Sequence, residues 1–320
     1  MMVLMLLFFG SRSEYFLSVG NFLNILREAA IPGIIGVGVA VVLAGGDIDL
    51  STGSIVGFLS MFCAVLLQKV HLVTAATIPV VILTGALCGL LNATIIERLN
   101  LNSFIVTIAM QNVFKGLQIL ISFRDEKGNV FTQTITNRVF LRLGKGIGEV
   151  YYAIIIFVVL VILVQILLKM TKFGINVYAV GSSRAAATLS GVKCDLIRRI
   201  TFMIDGACCG VAAVLMVARN AAATASSGTG LEFDALCAVI IGGAAMTPGV
   251  GDTSALAPLV GAIFVEMLMN GIYKISMPAA YQTIFKGSAL ILMIVIDAIF
   301  MYSSARRGKK AKQAKGGAAV

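Results

Sequence analysis

Apolar residues fall in long runs separated by short polar breaks. The runs cover about residues 29–46, 53–68, 73–96, 101–122, 151–170, 200–218, 232–249, 255–273 and 281–302. A helix crossing the hydrocarbon core needs about 20 mostly apolar residues, so each run predicts a membrane-spanning helix. A further apolar stretch occupies residues 1–9. That length rises only about 14 Å as a helix, which predicts a shortened first span or an interfacial segment. It lacks the charged leading region and small-residue cleavage site of a signal peptide. The expected fold is an all-α polytopic bundle of about ten spans. One membrane domain fills residues 1–302, and a basic tail follows over 303–320.

The polar connections orient this bundle. The connection 169–199 carries Lys169, Lys172, Arg184, Lys193, Arg198 and Arg199 against one acid, Asp195. The tail carries Arg306, Arg307, Lys309, Lys310, Lys312 and Lys315 and no acid. Basic loops stay on the cytoplasmic side, so both are expected there. An even number of predicted spans separates them, as that placement requires. The connection 124–149 then faces outward; its basic residues are offset by Asp125, Glu126 and Glu149.

Composition narrows the class further. The chain is 59% hydrophobic and 12% charged, with a mean hydropathy of +0.98. Soluble domains carry about a quarter charged residues, so lipid must cover much of this surface. The net charge of +10 sits mainly in loops and tail, where topology explains it. No basic face interleaved with exposed aromatics marks a nucleic-acid site. The cysteines Cys63, Cys88, Cys194, Cys208, Cys209 and Cys237 form no CxxC pair, and His71 is the single histidine. That spacing fits neither a metal site nor a disulfide framework; it fits small apolar residues in packed helices. The phosphate-cradling GxxxxGK[ST] loop is absent, as are the GxSxG and HExxH signatures. The reading is therefore not an enzyme and needs no cofactor. Any ATP hydrolysis must come from another chain.

Two polar interruptions stand out. In Gly45-Gly46-Asp47-Ile48-Asp49-Leu50-Ser51-Thr52-Gly53-Ser54, carboxylates and hydroxyls break an apolar region. Irregular backbone at membrane depth survives only inside protein or along a wet cavity. Asp47, Asp49 and Ser51 are therefore candidates for a solute path. The plainer alternative is a turn in which Asp49 or Ser51 caps the helix starting near Gly53. Asn92 and Asn270, each inside an apolar run after a Gly-Gly pair, join the path candidates as a faint internal echo. In the second interruption, Gly181 to Val192, Ser182 or Ser183 can cap a short small-sided helix and Gly191 can end it. Such a helix can enter a groove on a partner or can be an ordinary solvated loop helix.

On these stretches the chain resembles the permease subunit of ribose-type monosaccharide ABC importers. That family carries a GGIDLSVGS-like segment, which Gly45 to Ser54 resembles with one extra acid, Asp47. Its loop GxNxxAAxxSGI is similar to Gly181 to Val192. Further matches are Gly228 to Val239, followed by Gly242-Gly243 and Gly249-Val250-Gly251, and Asn270-Gly271, followed by Tyr281-Gln282 and Lys286-Gly287. The matches keep the family's order over about residues 20–300. The resemblance implies discontinuous helices near a pore between two permease chains, identical or different. It also implies two separate ATPase subunits and an extracytoplasmic solute-binding protein, in a bacterial inner membrane. The connection 169–199 would then be the coupling loop, with Gly181, Ser183, Ala186, Ala187, Ser190 and Gly191 meeting the ATPase. The family's longer first span supports the shortened start.

The departures define open questions. Ser183 stands where the family often has Asn. Asp205 and Glu266 lie in apolar runs where the family has small or apolar residues. Intramembrane carboxylates are costly and are functional candidates; pairing with Lys286 or protonation is the structural alternative. An ion-coupled secondary transporter using Asp205, Glu266 and Lys286 is a second function class. A related importer for nucleosides, branched-chain amino acids or a furanosyl signalling molecule is a third.

Overall fold

A computed structural model of the chain describes residues 2–12, 15–124, 128, 130, 132–243 and 254–274, with isolated positions from 281 to 295. Lys286, most of the expected 281–302 span, residues 244–253 and the tail lie outside the described residues. The described chain is helical. Short strands occur at one end, which also carries residues 69–73, 122–124, 132–151 and 221–230; we call it the β end.

Helix α2 (Val19–Ala44) is the axis of the bundle. Ser18 caps it, its side chain accepting from the Asn21 N–H at 3.2 Å. From Ala29 to Ala44 every side chain is buried. A helix apolar on all sides belongs in a core. Pro32 removes one ladder bond, tolerable where neighbouring helices pack around it. The helix starts ten residues earlier than its apolar run, because its polar first turns find partners. Asn21 Nδ2 donates to Asn270 Oδ1 at 2.9 Å, and Arg219 Nη1 donates to Glu28 Oε2 at 3.0 Å.

Helices α4 (Thr74–Leu99) and α10 (Cys194–Asn220) pack against each other beside α2. Gly85 and Gly89 on α4 face Gly206 and Gly210 on α10. A Cβ on Gly85 would lie 2.2 Å from the Gly206 carbonyl, and one on Gly89 1.9 Å from that of Phe202. Two small-xxx-small faces thus bring backbones into contact, the packing that substitutes for hydrophobic association in lipid. Around this core lie α3 (Thr52–Gln68), α5 (Ser103–Ile121), α7 (Tyr152–Met170), α11 (Leu231–Ile241) and α12 (Ala257–Lys274). The short α1 (Met2–Arg12) packs on α12 through Phe9, Met267 and Ile272. Among the described residues, α2, α4, α5, α7 and α10 are long and apolar enough to cross a membrane. The outer faces of α5 and α7 expose Ile105, Leu120, Ile162 and Leu163, as lipid contact requires.

At the β end, β1 (Gln133–Thr134) pairs antiparallel with β4 (Ala222–Ala223), and β2 (Gly146–Ile147) with β3 (Val150–Tyr151). Between them, Asn137 caps α6 (Arg138–Leu141) by accepting from the N–H groups of Val139 and Phe140. The opposite end holds two helices in the basic connection. The caps at Ser182 or Ser183 and the glycine stop predict one short helix there. Helix α8 (Lys172–Ser182) is additional, started by Thr171, whose hydroxyl accepts from the Gly174 N–H at 3.3 Å. The six residues of α9 (Arg184–Leu189) form the expected helix.

Two other boundaries depart from expectation. Helix α10 begins at Cys194 rather than about 200, because Arg198 and Arg199 find carboxylate partners and need not stay in a loop. Helix α11 ends at Ile241 rather than about 249, where Gly242 caps it and Gly243 takes a left-handed φ of +103°.

Candidate functional site

Two helix breaks meet on one side of α3. The first, residues 45–51, leaves α2 at the α8–α9 end and turns back into the bundle. The second, residues 221–230, enters from the β end and leads into α11. Both hold irregular backbone among membrane helices, so their polar groups must find protein partners.

Helix α5 supplies many of them. Its polar residues Ser103, Thr107, Gln111, Lys115 and Gln118 recur at helical spacing and form one stripe. Toward the first break, Ser103 Oγ accepts from the Ile48 N–H at 3.3 Å, and Thr107 Oγ1 from the Leu50 N–H at 3.2 Å. Toward the second, Lys115 Nζ donates to the Ala225 carbonyl at 2.6 Å and to Thr229 Oγ1 at 3.3 Å. Gln118 Nε2 donates to the carbonyls of Thr224 and Ser227 at 3.0 and 3.2 Å. Gln111 Nε2 donates to Glu232 Oε1 at 3.2 Å. The sequence reading missed this stripe and Glu232. The signal was available: polar residues at four- and three-residue steps inside the apolar run 101–122.

Helix α3 makes the approach possible. Gly228, at φ +82°, lies so close that a Cβ there would sit 2.1 Å from the Gly53 carbonyl. A Cβ on Gly57 would meet the Ser227 carbonyl at 2.4 Å. Between α5, α3 and the second break lies an open cleft of about 240 Å³, lined by Ser54, Gln111, Asn112, Lys115, Thr229 and Glu232 among others. A second opening of about 570 Å³ lies at the other end of the stripe, against Gly46, Ile48, Asn102, Ser103 and Phe104. The 19 residues of α5 rise about 28 Å, which places Gln111 near mid-membrane. A lysine, a glutamate and two amides at that depth are not lipid contacts.

The sequence-derived path candidates are arranged differently. Asp49, Ser51 and Asn92 come together, but in a closed cluster. Asp49 Oδ1 accepts from the Ser51 N–H at 2.7 Å and its hydroxyl at 2.6 Å; Asn92 Nδ2 donates to Ser51 Oγ at 2.8 Å and Asp49 Oδ2 at 3.3 Å. Asp205 is fully buried beside Asp49. Its two oxygens find no donor among the described residues. Ser51 occupies the cap position of α3, yet its side chain caps nothing because the hydroxyl is spent on Asp49. Asp47 is elsewhere, bound by Arg198 Nε at 2.7 Å. Asn270 bonds Asn21 near the start of α2, so the echo between Asn92 and Asn270 has no common environment. Glu266 is half-buried on α12.

At the α8–α9 end, Ser183 caps α9, its hydroxyl accepting from the Ala186 N–H at 3.3 Å. Gly191 ends the motif at φ +82°. Ser190 Oγ donates back to the Ala186 carbonyl at 3.0 Å. Arg184 and Asp195 form an ion pair that ties α9 to α10. Ala187 faces inward at 4% exposure, whereas Ala186 is exposed and Leu189 is 91% exposed. Gly181 lies against Gly46 of the first break. Tyr178 on α8 has its phenol pushed up by burial.

A helical membrane bundle with two internal breaks, a polar mid-membrane cleft and an exposed capped helix at one end is a transport subunit. The chain belongs to the family described as branched-chain amino acid transport system / permease component, which matches residues 21–295. It is 32% identical to the L-arabinose ABC transporter permease protein AraH of Azospirillum brasilense, over 88% of this chain and 81% of the relative. It is 30% identical to the ribose import permease protein RbsC of Bacillus subtilis, over 88% and 86%. The xylose transport system permease protein XylH of Haemophilus influenzae is 27% identical over 92% and 93%. No solved structure matches the chain. These relatives are transport permeases, which fits a chain without chemistry of its own.

Proposed function

We propose that this chain is the membrane-spanning permease subunit of an ATP-driven importer for a monosaccharide. The relatives named above are permeases for arabinose, ribose and xylose, which favours a sugar over the nucleoside, amino-acid and signalling-molecule alternatives. The observation that carries the coupling role is α9. It is short, capped, tethered to α10, and projects the apolar Leu189 into solvent. An isolated exposed leucine needs no explanation; one at the tip of a braced helix, in the loop that positive charge places in the cytoplasm, is a docking knob.

In this reading the α8–α9 end is cytoplasmic and α9 enters a groove on a separate ATPase subunit. A binding protein delivers solute at the β end. A second permease chain completes the path, and hydrolysis in the ATPase drives passage. The tail is cytoplasmic, where its charge meets anionic lipid.

The test is co-purification with the ATPase and stimulation of hydrolysis by sugar-loaded binding protein. Leu189→Asp is expected to lose the ATPase while the thermal stability of the permease is unchanged, since the side chain touches solvent. Retention of the ATPase at wild-type stoichiometry would refute the docking role. Ala187→Glu is not equivalent, because Ala187 packs inward and its replacement disturbs the permease itself.

A further inference from the structure

We infer that the cleft between α5 and the start of α11 is an intramembrane contact site for a polyhydroxyl solute, with Lys115, Asn112 and Glu232 as its hydrogen-bonding groups. This rests on the sugar-permease reading and assigns it a place.

Three observations converge on the cleft. First, it is open and sits near mid-membrane, where discontinuous helices characteristically meet solute. Here two breaks, entering from opposite ends, flank the same stripe of α5. Second, its chemistry is mixed. Lys115 is a pure donor with three N–H groups, two of them engaged by Ala225 and Thr229. Glu232 is an acceptor, engaged by Gln111 and by backbone N–H groups at the start of α11. Asn112, Thr229 and Ser54 line the same cleft with groups that both donate and accept. A hydroxyl also does both, so adjacent sugar hydroxyls can meet Lys115 as acceptors and Glu232 as donors. One cation and one anion leave no net charge to favour a charged solute. Third, Asn112 has no evident structural duty among the described residues, where its amide reaches the Ile108 carbonyl of its own helix. An exposed asparagine at this depth, on a helix whose neighbouring outer residues are Ile108, Val113 and Leu117, is costly in lipid and is explained by a wet, lined path. A second opening, at Ser103 and Phe104, lies on the same helix toward the α8–α9 end.

The test uses the complete importer in proteoliposomes: permease, ATPase and binding protein, with ATP supplied to the ATPase. The binding protein is saturated in turn with labelled sugar and with its single-deoxy analogues. The readout is sugar moved per ATP hydrolysed. In the wild type, at least one deoxy analogue is expected to move about tenfold less per ATP, the loss of a charge-assisted hydrogen bond. In Lys115→Met that same analogue and the parent sugar are expected to move equally. Equal movement is the signature of a contact already removed. Because Lys115 also holds Ala225, Asn112→Leu repeats the measurement without touching the second break. A deoxy penalty that persists unchanged in both variants overturns the assignment. If the wild type moves no sugar but moves another solute, the sugar reading falls. The same two variants, measured on that solute, then decide whether the cleft is its contact site.

Discussion

Gln118 holds the second break from a position with no exposure to solvent, which makes it a test of how that break is stabilised. Gln118→Met keeps the length and unbranched shape of the side chain, as it must. Gly57 lies so close that a Cβ there would sit 2.6 Å from Gln118 Oε1, leaving no room for bulk. The change deletes the donors to Thr224 and Ser227. Thr224 retains a bond from the Ser227 N–H at 3.1 Å, so its loss is one neutral hydrogen bond, about 0.5–1.5 kcal/mol. The Ser227 carbonyl loses its side-chain donor in a packed environment, which costs about 1–3 kcal/mol. Together the variant is expected to lose about 2–4 kcal/mol, which at about 2–4 °C per kcal/mol lowers Tm by roughly 4–16 °C. The described cysteines are buried, so a thiol-reactive dye reports unfolding of the detergent-solubilised chain directly. A Tm within about 2 °C of wild type, below that whole range, would refute the reasoning and mean that water already satisfies these carbonyls.

The same assay checks two further outcomes. Asp205→Asn sets an amide donor against Asp49 in place of a second carboxyl, and like charges at one buried site repel. Its Tm is expected to equal or exceed that of wild type, and a fall as large as that of Asp205→Ala would show that the carboxyl itself is required. Arg198→Met strands Asp47, which is 6% exposed, at an expected cost of about 1–3 kcal/mol, below the figure for a fully buried pair because Arg198 reaches solvent. The double variant Asp47→Leu/Arg198→Met is expected to recover most of that loss, and additive losses in the cycle would exclude a direct interaction.

Much of the bundle was legible because lipid imposes one strong rule: apolar runs of spanning length become helices. The runs at 53–68, 101–122 and 151–170 correspond closely to α3, α5 and α7. Ends rich in polar residues were misjudged because their partners are distant in sequence. Asn21 needs Asn270, and Arg198 needs Asp47; neither pair is visible before folding. Ser51 was legible as polar and irregular but not in its role, because Asp49 claims its hydroxyl. The cleft was missed for a different reason. Lys115 and Gln118 were read as part of a span, and their purpose is the backbone of residues 224–227, more than a hundred positions away. The short helix α9 was readable because its cap, helix and glycine stop are all local.

The contacts also indicate how force at α9 could reach the cleft. Arg184 binds Asp195, and a few residues later Arg198 binds Asp47. A push on Leu189 is therefore delivered to α10 and to the first break together. Helix α10 cannot yield alone, because its glycine face is in backbone contact with α4, and Arg199 adds a 2.6 Å bond to Glu97 at the end of that helix. The pair α4–α10 is therefore expected to move as a body. What it moves against is α3 and α5, where the connections at the first break are single hydrogen bonds from backbone to Ser103 and Thr107. Bonds of that kind exchange for water at little net cost, whereas an interlocked glycine face does not slide without clashes. Motion is thus expected to open along the α5 stripe, the surface that lines both cavities. Asp47, held by Arg198, would tie α10 to the first break in that motion.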